Sequence, residues 1–80
     1  MKLTTAVSKR IRELLNERGM TQYQLYRKTG VPQSTISTIL SEQEKTSKLL
    51  TIAQIAQGFE MGLDEFFTKA DFSFEELEVE

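Results

Sequence analysis

Eighty residues with 39% hydrophobic and 28% charged content specify one small domain, with room for a single core but not for a second lobe or a deep substrate cleft. The chain has no cysteine and no histidine, which excludes disulfides and thiolate metal sites and removes the commonest metal ligand and the commonest general base at neutral pH. A net charge of −2 hides an asymmetry: residues 1–48 hold nine basic and four acidic side chains, a balance of +5, whereas residues 49–80 hold one lysine against eight acids, a balance of −7.

Thr5 to Arg18 carries Val7, Ile11, Leu14 and Leu15 at i, i+4, i+7 and i+8, which draws one apolar stripe on a first helix. Gly19 ends it, because glycine fits the left-handed residue after a helix C-terminus, and Met20 supplies the hydrophobic contact that accompanies such a cap. Thr21-Gln22-Tyr23-Gln24 has the form of a capping box, so a second helix is predicted over Gln22 to Thr29, with Leu25 inward and Gly30 as its stop. Only Val31 separates Gly30 from Pro32, and proline suits the first turn of a helix, where the N–H it lacks has no partner anyway.

A third helix therefore begins near Pro32 and runs to Leu40. Its Ile36, Ile39 and Leu40 share one face, and the opposite face presents Gln33, Ser34, Ser37, Thr38 and Ser41, all polar and uncharged. As a strand, the same residues would mix polar and apolar on both sides. This face lies within 24 consecutive residues, 18–41, that contain no carboxylate. An ordinary solvated helix face carries lysines and glutamates; this one carries neither.

A polar connector, 42–47, follows, in which Thr46 or Ser47 is placed to cap a fourth helix over Lys48 to Phe59 with Leu49, Ile52, Ile55, Ala56 and Phe59 as its stripe. Gly62 precedes a short fifth helix, Leu63 to Phe67, with Asp64 and Glu65 at the positive end of its dipole. The expected division is a domain over 1–68 and an acidic tail over 69–80, whose Phe72 to Val79 are expected to pack against a second copy, the alternatives being a solvated end or contact with a partner protein. In the tail, Phe72, Phe74, Leu77 and Val79 either alternate on a strand or dock as a last turn.

Two helices joined by a tight glycine turn form the signature of a helix-turn-helix. The run "MTQYQLYRKTGVPQSTISTIL" followed by "LLTIAQIAQGFEMGLDEFF" resembles the all-α, five-helix, lambda repressor-like DNA-binding domain of the Cro/C1-type (XRE) transcriptional regulators over roughly residues 5–67. The resemblance rests on Thr21-Gln22, Leu25, Gly30-Val31, Ile36-Ser37, Ile55-Ala56 and Leu63 to Phe67. It implies that helix 3 enters the DNA major groove and that Gln33, Ser34, Ser37 and Thr38 read base edges. Glutamine bonding adenine N6 and N7, and hydroxyls that donate or accept, suit that role. It also implies that Gln22 bonds a phosphate; Thr21, Tyr26, Arg10, Arg18, Arg27, Lys28, Lys45 and Lys48 are the further phosphate candidates.

The chain departs from the family pattern at three places. Tyr26 stands where alanine is usual at the close approach of the two helices. Pro32 stands where serine is common. Ser41-Glu42-Gln43-Glu44-Lys45 replaces a loop that often reads Asn-Gly-Lys, which sets two carboxylates near the DNA backbone unless they point away. Tyr23 and Tyr26 read as packing residues rather than stacking platforms.

The expected function is sequence-specific transcriptional regulation, repression above all, on a palindromic operator of double-stranded DNA. The protein is expected to be a homodimer, with no enzymatic activity and no cofactor. Alternatives are a DNA-binding antitoxin whose acidic C-terminal half holds a basic protein partner, and an interaction module that keeps the fold without binding DNA. No apolar run exceeds three residues and Met1 to Thr5 lacks a secretory apolar core, so no membrane span and a cytoplasmic location are expected.

Overall fold

The computed structural model describes residues 1–43 and 47–78. The architecture is all-α, with α1 over Leu3–Glu17, α2 over Gln22–Thr29, α3 over Gln33–Leu40, α4 over Leu49–Gly58 and α5 over Leu63–Phe66, followed by a single 3₁₀ turn at Ala70–Phe72. The five helices are those expected from the sequence, with shifts of at most two residues at their ends. α1 starts earlier, at Leu3, because the tail pairs with the residues before it. Pro32 is the residue before α3 rather than its first member, extended at φ −54° and ψ 143°.

Three of the helices end in the same way. After α1, the Gly19 N–H donates to the Asn16 carbonyl and the Met20 N–H to that of Leu15. After α3, Glu42 donates to Ile39 and Gln43 to Thr38; after α4, Glu60 donates to Gln57 and Met61 to Ala56. Each pair satisfies two orphan carbonyls and requires a left-handed residue. Glycine fills that position only once: Glu42 and Glu60 hold φ of 59° and 60°, a conformation that costs a residue with a Cβ roughly 1–2 kcal/mol. Each glutamate has a partner on another helix, Thr5 for Glu42 and Lys28 for Glu60.

The core gathers Val7, Ile11 and Leu14 of α1, Leu25 of α2, Val31, Ile36 and Leu40 of α3, Ile52, Ile55 and Ala56 of α4, and then Phe59, Met61 and Phe66. Between α2 and α4 the spacing is set by Gly58, where a Cβ would collide with the Thr29 methyl group. Thr29 has no freedom to yield, since its hydroxyl donates to the Leu25 carbonyl and accepts from the Val31 N–H. The α4 stripe departs from expectation at Leu49, which is 64% exposed, as is its neighbour Leu50 at 68%. Leu49 lies one turn before Ile52, beyond the edge of the core. Nor is α4 capped by Ser47: Lys48 is its N-cap residue, with no side-chain cap bond, and Thr46 lies outside the described residues.

Beyond α5 the chain returns to α1. Phe72 packs edge-on against Phe67 with ring centroids 5.0 Å apart, and Phe67 packs edge-on against Phe66 at 5.1 Å. Asp71 meets the Lys9 ammonium at 3.0 Å and, through that hydrogen bond and its charge, raises the lysine pKa above its ordinary value. Glu78 accepts from the Leu3 N–H and donates to the Met1 carbonyl, one parallel bridge rather than a strand. The tail thus docks as a last turn through Phe72, while Phe74 is 97% exposed and Val79 lies outside the described residues. Because the Glu60 to Lys28 contact is long, at 3.7 Å, and exposed, replacing Glu60 by glycine should relieve more than it removes. Glu60→Gly is expected to raise unfolding free energy by about 0.5–1 kcal/mol, read as a higher urea midpoint at unchanged slope.

Candidate nucleic-acid interface

The helix-turn-helix is assembled from short-range chemistry. Thr21 accepts from the Gln24 N–H at 3.1 Å and the Gln24 side chain accepts from the Thr21 N–H at 2.9 Å, closing the expected capping box. Gly30 takes the left-handed conformation, φ 75°, and returns its N–H to the Tyr26 carbonyl. Val31 is then buried between α2 and α3, and Pro32 sends the chain into α3.

α3 buries Ile36 and Leu40 and half-buries Ile39. Its opposite face brings Gln33, Ser34 and Ser37 together, all exposed and with side chains that make no hydrogen bond to the described residues. Thr38 shares that face but is half-buried, and its hydroxyl donates to the Ser34 carbonyl at 2.8 Å. What Thr38 offers outward is therefore a methyl group and an acceptor lone pair, not a donor.

The C-terminus of α3 is gripped by α1. The Ser8 hydroxyl and the Arg12 guanidinium each donate to the Leu40 carbonyl, both at 2.9 Å. Sequence reading passed over both residues. The available signal was Ser8 itself, a polar residue beside Val7 in an otherwise apolar stripe, and it is 3% exposed.

The basic residues divide into those turned inward and those left exposed. Arg10, expected among the phosphate candidates, is turned inward: it is 7% exposed, its Nε donates to the Phe66 carbonyl at 2.7 Å and Nη2 to that of Glu65 at 2.9 Å, so it closes the C-terminus of α5. Its place on the line Ala6, Arg10, Leu14, spaced i, i+4, was the sign of an inward side chain. Arg18 has one Nη on the Phe59 carbonyl at 2.5 Å. α1 and its C-cap residue Arg18 thus send arginines to the C-terminal ends of α3, α4 and α5.

Arg18, Arg27 and Lys28 line one open cavity of about 380 Å³ with Gly19, Met20 and Gln24. Arg27 also touches the Tyr23 hydroxyl at 3.4 Å, and Lys28 faces Glu60. Gln22 and Lys48 are exposed, Gln22 in the first turn of α2 and Lys48 before α4; Lys45 and Glu44 lie outside the described residues. Tyr26 is half-buried against the core, as a packing residue should be, but Tyr23 is 52% exposed with its ring 5.9 Å from that of Tyr26, so the packing expectation holds for one of the two.

Residues 10–70 match the model of the Cro/C1-type HTH DNA-binding domain, and the chain belongs to that family. The protein is therefore a DNA-binding regulator built on a helix-turn-helix. No curated protein and no solved structure matches the chain. Among the described residues no helix is long and apolar enough to cross a membrane.

Arg10→Ala leaves two carbonyls without their donors and opens packing against the Phe66 ring, which lies 5.9 Å from the guanidinium carbon. It is expected to lower unfolding free energy by about 2–4 kcal/mol in urea denaturation. The slope of DNA affinity against salt concentration should stay unchanged, since no phosphate contact is removed.

Proposed function

We propose that this DNA-binding regulator is a repressor that lays α3 in the major groove and occludes a promoter by occupying an overlapping operator. The observation that carries the reading is the outer face of α3, where Gln33, Ser34 and Ser37 are exposed and uncharged and their side chains have no hydrogen-bond partner among the described residues. Such a face is poor at holding a helix in solution and well suited to base edges, which offer donors and acceptors rather than net charge. Gln33 bonds an adenine edge, Ser34 and Ser37 donate or accept, and Thr38 sets its methyl group against a thymine methyl or accepts a bond. Gln22 and Thr21, at the N-terminus of α2, bind a backbone phosphate, aided by the helix dipole. Arg18, Arg27, Lys28, Lys48, Lys45 and the Tyr26 hydroxyl supply the remaining attraction to the backbone.

One eight-residue helix reads only a few base pairs, so the protein acts as a homodimer on a palindromic site with half-sites about 34 Å apart. The exposed Leu49 and Leu50, adjacent at the start of α4, support a contact surface of this kind. The place of action is the cytoplasm, where the DNA is.

Selection from a random duplex pool tests the reading directly: it is expected to return one palindromic consensus. On that consensus Gln33→Ala should cost about 1–3 kcal/mol and relax preference at one base pair per half-site. Equal loss on every sequence would count against base reading. Equilibrium sedimentation at micromolar concentration should give twice the monomer mass, and a monomer there would remove the dimer.

A further inference from the structure

Glu42 is the first carboxylate after the acid-free residues 18–41, and it stands immediately beyond the C-cap of α3. An eight-residue helix is about 12 Å long, which is close to the roughly 12 Å width of the major groove. A helix of that length whose N-terminal residues reach the bases brings the residue after its C-terminus out beside a phosphate wall. A carboxylate left to swing there would repel the backbone.

In the structure it does not swing. The Thr5 hydroxyl donates to Glu42 Oε1 at 2.5 Å. Thr5 lies in the first turn of α1, which contains no acidic residue and whose N-cap residue, Lys2, makes no side-chain cap bond. The Glu42 carboxylate is thereby drawn to the positive end of the α1 dipole, where an anion is stabilised. The same contact helps offset the left-handed backbone at Glu42, φ 59°. Ser8 and Arg12, one and two turns further along α1, hold the Leu40 carbonyl, so the two ends of this arrangement are tied to one helix.

We propose that Thr5 is a positioning residue for DNA binding: through the Thr5–Glu42 contact it holds the carboxylate at the end of the recognition helix on α1 and away from the phosphates, and so sets operator affinity without touching DNA. The proposal rests on the DNA-binding reading above. It is specific in its electrostatics, because the harm it prevents is a charge repulsion, screened by salt and absent when residue 42 is neutral.

The test is a double-mutant cycle on the selected operator, with the unsubstituted chain, Thr5→Val, Glu42→Gln and the double variant measured at 50 mM and 300 mM salt. Thr5→Val is expected to weaken binding roughly three- to tenfold at the lower salt, to lose most of that effect at the higher salt, and to have no effect in the Glu42→Gln background. Thr5→Ser, which keeps the donor, should bind as the unsubstituted chain does. Urea denaturation without DNA, run on all variants, separates the role from simple capping, since a cap acts on stability at either salt.

An equal loss of affinity for Thr5→Val in both backgrounds, or no loss at all, overturns the proposal while leaving the DNA-binding reading intact. Absence of salt-sensitive DNA binding by the unsubstituted chain overturns that reading, and the proposal with it.

Discussion

An eight-residue helix composed of serine, threonine, isoleucine, glutamine and one leucine does not persist by itself in water. Nucleation is unfavourable, isolated helices shorter than about 12–15 residues are marginal, and these residue types are mediocre helix formers. α3 is such a helix, and the rest of the structure is organised around keeping it in place. Burial of Ile36 and Leu40 contributes on the order of 1.5–3 kcal/mol each. Val31 plugs the turn, Pro32 sets the entry, and Ser8 and Arg12 fasten the Leu40 carbonyl. Because its stability comes from the inner face and the two ends, the outer face is released from any structural duty. Gln33, Ser34 and Ser37 can then be chosen for the ligand alone.

The means of fastening recurs through the molecule. Helix C-termini leave carbonyls unpaired and carry partial negative charge, and α1 with its C-cap residue meets this need for three other helices: Arg12 at α3, Arg18 at the C-cap of α4, and Arg10 at α5. A planar guanidinium with several donors suits the task better than an ammonium would. The positive balance of the N-terminal half is thus partly internal. Arg27, Lys28 and Lys48 are among the cations that remain exposed.

The acidic half has a structural use as well. Asp71 pairs with Lys9, the Glu78 backbone bridges to the start of α1, and Phe72 joins the rings of Phe66 and Phe67. The tail therefore completes α1 at the end where it lacks a side-chain cap. Glu42 does a comparable service from the far side of α3, reaching Thr5 from a strained left-handed position. In both cases negative charge that looked unfavourable for a DNA-binding protein is held against the helix that can use it.

Local chemistry settled the order of the elements from the chain alone. Apolar spacing placed α1, α3 and α4, Thr21 with Gln24 placed the start of α2, Gly30 with Pro32 placed the turn, and Gly62 with Asp64 and Glu65 placed α5, because capping boxes, left-handed glycines and proline entries depend on residues a few positions apart. The uncharged face of α3 was readable for the same reason, since the 3.6-residue period assigns each side chain a direction. What only the assembled tertiary structure decided was the destination of long, charged side chains. Arginine reaches across helices, so charge counts cannot divide Arg10 of α1, buried against α5, from Arg27, exposed on α2. Nor can they show that Leu49 overhangs the core, that Phe72 is covered while Phe74 is not, or that Ser8, Arg12 and Thr5 serve α3. Those outcomes depend on which helix ends meet in space, and contacts between residues 28 to 56 positions apart leave no periodic trace in the chain.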